Sequence, residues 1–330
     1  MRKYLFFFVF IISFLFSGLF FAYAQPQAND PKMDEPAGEF YGFGVKVPLS
    51  NFYFVKSVIN VFGNKWSAPA QNNEELENQV WEQLLLSYES FKRGIKVEPS
   101  ELDAEIEKTL GGEKVNFKWK EDKESYAKWV KQRTGEPVEL FENQLKHLIQ
   151  IQKLRQQVMD GIKPQSTEEE AHQEFLNEWN TLSVELAQFD SRESAEAFYN
   201  KVRRKPKLWE KEVKAKPDVF KRPGFVALEF LMEMWGFPKD DAYKMLKLDL
   251  GAIYPVAKIY GSKYGVFKIL EKRLADETKF AEHRKSFIEQ IELKKKYSGL
   301  NDWLKNLKEE AGMRIYEKTE VISPNAEEKQ

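Results

Sequence analysis

The residue types that most often perform catalysis or bind metal are sparse in this chain. There is no cysteine, so a thiol nucleophile, a thiolate metal site and a disulfide are all excluded. The three histidines, His147, His172 and His283, fall in predicted helices, and no two of them have the i,i+4 spacing of a helical metal site. Each is therefore expected to be an ordinary surface or boundary residue. We predict no metal, no cofactor and no catalytic residue.

The short motifs that bind phosphates or activate a serine are also absent. Gly42-Phe43-Gly44 lacks the third glycine and the flanking strand and helix of a dinucleotide-binding turn, and the sequence has neither a P-loop nor a G-x-S-x-G elbow. The basic run from Arg203 to Lys214 is interrupted by Trp209, Glu210 and Glu212, and the whole chain has a formal charge of −1. A solvated loop is expected there, and nucleic acid is not an expected partner.

One apolar segment has a composition suited to binding polypeptide. "FLMEMWGFP", Phe230 to Pro238, contains two Met, one Trp and two Phe. Methionine is flexible and polarisable, and Met-rich surfaces adapt to varied partners. The segment could line a groove for an extended apolar peptide. The alternative is that the same residues form the core of a small domain.

The first 24 residues have the order of a secretory signal peptide. Arg2 and Lys3 give a positive start, the stretch from Tyr4 to Phe21 is almost wholly apolar, and Ala22-Tyr23-Ala24 is a small-x-small cleavage pattern. We expect cleavage after Ala24 and a periplasmic or otherwise exported protein. If the segment were not cleaved, it would be the only part of the chain in contact with a membrane. A lipoprotein is excluded because the chain lacks the cysteine to be acylated.

The elements that follow are mostly helical. Residues 25–50 are rich in Pro, Gly and small polar residues and predict a flexible tether with one or two short ordered pieces. Residues 51–180 have helical periodicity and predict a helical region. Residues 275–316 predict two further helices that pack on it, and residues 317–330 predict a disordered tail.

The pattern between residues 181 and 274 is different. Thr181 to Phe189 alternates apolar and polar residues and predicts a strand, and Gly224 to Phe230 predicts a second one, after an irregular region that reaches Pro223. "AIYPVAKIY" and "YGSKYGVFKILEKR", the latter from Tyr260 to Arg273, predict a third and a fourth. The fold class is therefore α+β: a mostly helical domain, built from both ends of the chain, with a small α+β unit inserted into it.

This unit resembles the parvulin-type peptidyl-prolyl isomerase domain. The resemblance lies in the serial order of "LSVELAQFDSRESAEAFYNKV", "RPGFVALEF", "DDAYKMLKLDLGAIYPV" and "GVFKILEKR". The flanking helices are similar to the chaperone region of SurA and its relatives PrsA and PpiD, through "LENQVWEQLLLSYESFKRGIKVEPSELDAEIEK", "LFENQLKHLIQIQKLRQQV" and the closing "YSGLNDWLKNLKEEAGMRIY". Together, the two resemblances cover most of residues 74–316, and they imply a folding chaperone with an isomerase domain.

The family's catalytic histidines are missing here. The resemblance implies one His in the first strand, where this chain offers Glu185, and another in the last strand, where the matching position falls on Lys263, Gly265 or Phe267. Isomerisation must lower a barrier of about 18–20 kcal/mol without a covalent intermediate. An apolar groove could retain some rate, but loss of both histidines predicts weak or no isomerase activity.

Peptide binding is less demanding than turnover. Within the resemblance, we predict a binding groove formed by six apolar residues, which are Leu231, Met234, Trp235, Phe237, Tyr264 and Phe267. The sequence thus predicts an exported SurA-like chaperone that binds unfolded or nascent exported polypeptides and contains a degenerate isomerase domain. Two alternatives remain open: an active parvulin-type isomerase with rearranged catalytic residues, and a non-enzymatic assembly subunit with one fixed protein partner.

Overall fold

The computed structural model describes residues 31–113 and 115–316. The predicted signal peptide (1–24) and tail (317–330) lie outside these residues. The described chain forms two compact units: unit 1 comprises its residues up to Val158 and from Asp302 onward, and unit 2 comprises Met159–Asn301. Each unit is considered by itself below. Within residues 31–113 and 115–316, every helix is too short or too polar to cross a membrane.

Helices make up most of the structure. In chain order they are α1 (Leu49–Phe62), α2 (Asn73–Lys92), α3 (Pro99–Glu113), α4 (Lys123–Thr134), α5 (Val138–Gly161), α6 (Glu168–Trp179), α7 (Arg192–Arg204), α8 (Lys207–Ala215), α9 (Leu228–Glu233), α10 (Lys239–Lys247) and α11 (Phe280–Ala311). The strands are β1 (Pro36–Phe40), β2 (Val45–Pro48), β3 (Thr181–Phe189), β4 (Phe220–Lys221), β5 (Phe225–Ala227), β6 (Ile253–Ile259), β7 (Lys263–Arg273) and β8 (Met313–Ile315). The fold class is α+β, as predicted.

Unit 1 packs amphipathic helices around aromatic side chains. Trp81 on α2 is 2% exposed and lies between Phe40 and Phe52, with ring centroids 5.8 Å from each. The start of α2 is capped by Asn72, whose side chain accepts a hydrogen bond from the backbone N–H of Glu75. The apolar residues recur every three or four positions, so one face of each helix is buried.

A three-stranded antiparallel sheet joins the two ends of unit 1. Its order is β2-β1-β8, so a segment predicted as tether pairs with β8, near the end of the described residues, through Gly38↔Ile315 and Phe40↔Met313. Gly38 is required at this crossing. A Cβ there would lie 2.5 Å from the carbonyl oxygen of Arg314 and 2.7 Å from the Trp81 ring. Only glycine allows the strands and the tryptophan to approach this closely.

The sheet of unit 2 has the order β4-β3-β7-β6, and β5 also pairs with β3. All pairs are antiparallel. The long pairing of β3 with β7 runs from Thr181↔Arg273 to Phe189↔Tyr264, with a bulge between Ser183 and Val184. The last strand of unit 2, β7, is therefore an interior strand, hydrogen-bonded on both sides.

Three predicted elements of unit 2 were wrong. The region expected to be irregular up to Pro223 contains α8, which is helical because Trp209 and Val213 lie one turn apart and Trp209 packs fully buried. The second strand ends at Ala227, and the following residues form α9. The two helices expected after residue 275 are one helix, α11, whose Gly299 does not break it and lies against Ile162.

Candidate peptide-binding surface

The two faces of the unit 2 sheet carry different layers. Because side chains alternate along a strand, Leu186 and its partner Phe267 lie on one face, where α9 and α10 cover them. Ala187 and its partner Val266 lie on the other face, in a cluster with Trp209 of α8. The first face is called the α9 face here and the second the α8 face.

Three of the six predicted groove residues belong to the core of the α9 face. Leu231, Phe237 and Phe267 are 0%, 4% and 0% exposed, and the rings of the two phenylalanines lie 5.3 Å apart in a T-shaped contact. The structure does bring these three together, but as packed core. They are buried because they pack together between the sheet and the helices that cover it, where apolar area is removed from water.

The other three predicted residues lie in different places. Trp235 is half-buried, and its ring centroid lies 5.7 Å from that of Phe267. Met234, which follows α9, is 55% exposed. Tyr264 packs in the cluster of the α8 face, so it cannot share a groove with the others. A single open groove formed by all six is therefore corrected by the structure, and peptide binding by Met234 and Trp235 stays a prediction.

Phe230 completes the exposed part of this surface. It is 39% exposed, and its ring contacts Trp235 at 5.7 Å in a T-shaped arrangement. Phe230 and Met234 are four residues apart, so they lie on the same side of α9. Phe230, Met234 and Trp235 form what we call the apolar row. The i,i+4 spacing was visible in the sequence, but it was missed because the segment was read as a strand.

An acidic row lies beside the apolar row. Glu229 and Glu233 are also four residues apart, about 100° around the helix from Phe230 and Met234. Lys294 of α11 donates a hydrogen bond to Glu229 at 2.8 Å and lies 3.7 Å from Glu233. Lys294 also bonds to Glu174 of α6.

The negative charge around Lys294 is only partly balanced. Burial lowers the pKa of Lys294, but hydrogen bonds to Glu174 and Glu229 outweigh this and raise it above its usual value. The nearby Glu178 has a raised pKa, first because burial desolvates its carboxyl group and then because of the charges of Glu229 and Glu174. Three carboxylates, those of Glu174, Glu229 and Glu233, therefore share one ammonium group, so negative charge is in excess beside the apolar row.

Glu185, the counterpart of the first family histidine, has a structural role. It is 2% exposed and lies on the α8 face. The indole N–H of Trp209 donates to its Oε2 at 2.6 Å, and Nε of Arg222 donates to its Oε1 at 2.7 Å. Both oxygens are thus occupied. Phe267, one of the three positions considered for the second histidine, is on the opposite face, so these two residues cannot act on one substrate.

The other two candidate positions for the second histidine carry no titratable ring either. Lys263 is exposed at the start of β7 and lies 3.4 Å from Asp190. Gly265 lies on the α9 face, where a Cβ would be 2.6 Å from Leu186. A larger side chain at Gly265 would require the core to move.

The three histidines lie outside this sheet. His172 of α6 forms a 2.6 Å contact with Glu277, and the ring of His283 of α11 lies 5.0 Å from that of Trp179 in a tilted arrangement. His147 is 7% exposed, with its Nε2 atom unpaired and its ring edge-on to Phe54, so the expectation of a surface or boundary residue was wrong for it. Burial lowers the pKa of His147 to about 4. It is neutral in the fold at physiological pH.

Unit 1 has a separate concave surface. A cleft of about 390 Å³ opens beside Trp119, between the end of α3 and the segment that precedes α4. Its lining residues are Glu107, Leu110, Gly111, Val115, Phe117, Lys118, Trp119, Lys120 and Glu121. Among the described residues there is no group of three or more His, Asp or Glu placed to hold a metal ion.

No family model matches this sequence, and no curated protein matches it. Solved structures do match. A structure from work on PEB4 and Cj1289, two SurA-like chaperones of Campylobacter jejuni, has a TM-score of 0.36 at 13% identity and covers 83% of this chain and 96% of that chain.

Two structures of peptidylprolyl isomerase PrsA also match. The protein of Bacillus anthracis has a TM-score of 0.41 at 13% identity and covers 72% of this chain and 98% of that one. The protein of Bacillus cereus has a TM-score of 0.39 at 13% identity, with 83% and 91% covered. The resemblance predicted from the sequence is to the same kinds of protein, SurA-like chaperones and PrsA.

Proposed function

We propose that this chain is an exported SurA-like folding chaperone, which binds unfolded envelope or secreted polypeptides, and that the α+β part of unit 2 is a degenerate prolyl isomerase module. The observation that carries the proposal is the apolar row on α9. An exposed Phe on α9 is followed by an exposed Met and a half-buried Trp just after the end of the helix, and the rings of Phe230 and Trp235 contact each other. Exposed apolar clusters mark surfaces that bind polypeptide.

The apolar row can hold an extended segment without any reacting group. Removing apolar surface from water stabilises a complex by roughly 25 cal/mol per Å². Met234 can adapt its side chain to different client residues, and the ring of Trp235 offers a flat face to aromatic ones. A surface of this kind favours many weak, interchangeable contacts, which suits a chaperone more than a specific enzyme.

The degenerate character rests on what has replaced the catalytic pair. Glu185 has both oxygens bonded on the α8 face, and Phe267 is packed in the core of the α9 face. The sequence between residues 181 and 274 contains no histidine. The two positions therefore supply no pair of polar side chains on one face of the sheet, and isomerase turnover is expected to be weak or absent.

The test uses the mature chain, starting at Gln25, with two unrelated clients that aggregate on dilution from denaturant. We expect the wild-type chain to suppress aggregation of both. The double variant Phe230→Ser, Met234→Ser should lose most of this effect. Leu274→Ser is the matched control, because Leu274 is 68% exposed in the same unit but outside the apolar row.

Three results would change the proposal. Equal protection by the double variant and wild type would remove the apolar row as the binding surface. Protection of neither client would favour the alternative of one fixed protein partner. Acceleration of a proline-limited refolding reaction at catalytic concentrations of the chain would refute the degenerate isomerase and favour the active one.

A further inference from the structure

The side of α9 that carries the apolar row is not neutral. Glu229 and Glu233 directly precede Phe230 and Met234 in the sequence, so the acidic row runs parallel to the apolar row, about 100° around the helix axis. The side chain of Glu233 is 63% exposed, and that of Glu229 is 28% exposed. A polypeptide that covers Phe230 and Met234 therefore also comes within reach of carboxylates.

These carboxylates retain unbalanced charge. Lys294 is the cation nearest to Glu229 and Glu233, and it is shared with Glu174. The pKa of Glu178 is raised first by desolvation and then by the charges of Glu229 and Glu174, which agrees with this surplus of carboxylates. A second positive charge placed at the acidic row would relieve this repulsion, whereas a negative charge would add to it.

We propose that the apolar row and the acidic row together select cationic amphipathic segments: extended polypeptide in which an apolar side chain is followed two residues later by Lys or Arg. This rests on the proposed function, because it names the client class of the same surface. The surface contacts one apolar and one basic side chain of the bound polypeptide at a time, so it would bind many sequences that share this pattern.

The spacing follows from the geometry of an extended chain. Residues i and i+2 of a strand point to the same side and lie about 6.7 Å apart. The apolar row and the acidic row are neighbouring rows of one helix. An apolar side chain of the bound polypeptide can therefore contact Phe230 and Met234 while a basic side chain of the same polypeptide lies beside Glu233. Residue i+1 points away and carries no requirement.

The charge contribution is modest because Glu233 is exposed. An exposed ion pair changes an affinity by about two- to five-fold per pair, and salt screens it. Apolar contact is therefore expected to provide most of the affinity, and the acidic row to provide the preference. The preference should fall when ionic strength is raised from about 0.02 to 0.5 M.

The test compares three labelled peptides that differ at one residue type: a repeat of Phe-Ser-Lys, a repeat of Phe-Ser-Gln and a repeat of Phe-Ser-Glu. Binding to the mature chain is measured by fluorescence anisotropy. We expect the dissociation constant to rise in the order Lys, Gln, Glu, with a two- to five-fold step or more between neighbours. Glu233→Gln should shrink the Lys–Gln step, and Glu233→Lys should invert the order.

Controls separate this inference from the proposed function. Glu289→Gln removes an exposed carboxylate of α11 outside the acidic row and should leave the order unchanged. If no peptide binds, the proposed chaperone surface fails. If all three bind alike, or if the Lys preference survives both substitutions of Glu233, the surface stands and the charge selection is overturned. Glu233 is the position of choice because its exposure keeps the substitutions compatible with folding.

Discussion

Replacing Glu185 with alanine removes the only carboxylate within β3. Its carboxylate accepts from the buried indole N–H of Trp209 at 2.6 Å and from the exposed Arg222 at 2.7 Å. Glu185→Ala therefore breaks two bonds that join β3 to α8 and to the segment after β4. If this network is structural rather than catalytic, the consequence should be loss of stability in unit 2.

The magnitude follows from what each bond leaves behind. Trp209 is 0% exposed, so its N–H would lose its partner in a dry site, at a cost of about 1–3 kcal/mol. The side chain of Arg222 is 63% exposed and can turn to water, so its share is about 0–1 kcal/mol. We expect Glu185→Ala to destabilise unit 2 by about 1–4 kcal/mol, the sum of the two shares. Glu185→Gln should cost about 1 kcal/mol, because its amide oxygen can still accept from Trp209.

Hydrogen–deuterium exchange of the full mature chain measures this loss where it occurs. The free energy of opening is obtained for peptides that cover β3 and α8, and peptides from α2 and α5 of unit 1 serve as the internal reference. The control Arg192→Ala breaks an exposed ion pair with Glu196 in α7 of the same unit and should cost less than about 1 kcal/mol. A change within about 0.5 kcal/mol for Glu185→Ala, or an equal loss for Glu185→Gln, would refute the account.

Three further predictions concern other parts of the chain. Burial lowers the pKa of His147 to about 4, against about 6.5 in the unfolded chain, so the unfolded chain takes up the proton first as the pH falls. Unit 1 should therefore keep its full stability above pH 6.5 and lose about 3 kcal/mol as the pH falls to 4. Urea unfolding at both pH values measures this loss, and His147→Phe should remove the part that comes from His147. Gly38→Ala should lower the thermal midpoint through about 1–3 kcal/mol of overpacking against Trp81, whereas Gly111→Ala, whose Cβ meets open space in α3, should raise it slightly. Glu185→His should confer no proline-limited refolding activity, because that side chain faces α8 and not the apolar row.

Several features could be predicted from local pattern alone. The α+β class, the helix of unit 1 from Asn73 to Lys92 and the strand from Thr181 to Phe189 follow from apolar periodicity. Ser191 directly precedes α7, and its side chain accepts a hydrogen bond from the backbone N–H of Ser194, as the preference for serine at helix N-caps predicts. These features depend on residues a few positions apart, so the sequence contains the information directly.

The residues of the candidate surface were predicted only in part, because whether a side chain is exposed depends on the face of the sheet or helix that it occupies. Met234 and Trp235 lie at the surface as the composition of "FLMEMWGFP" indicates, whereas Leu231 from the same stretch is core. Reading residues 228–230 as strand placed Phe230 in the wrong period and hid its pairing with Met234. A three-residue strand followed by a six-residue helix is too short for periodicity to distinguish.

The amino-acid sequence by itself determined the absence of cysteine chemistry, the absence of histidine from residues 181–274, and the serial order that resembles parvulin-type domains. Only the tertiary structure decided which helices cover the sheet face of Tyr264 and which cover that of Phe267, that Glu185 is held by Trp209 and Arg222, and that Lys294 is shared by the acidic row and Glu174. The physical reason is that composition and local period act along the chain, whereas strand register and helix packing bring together residues that are far apart in sequence.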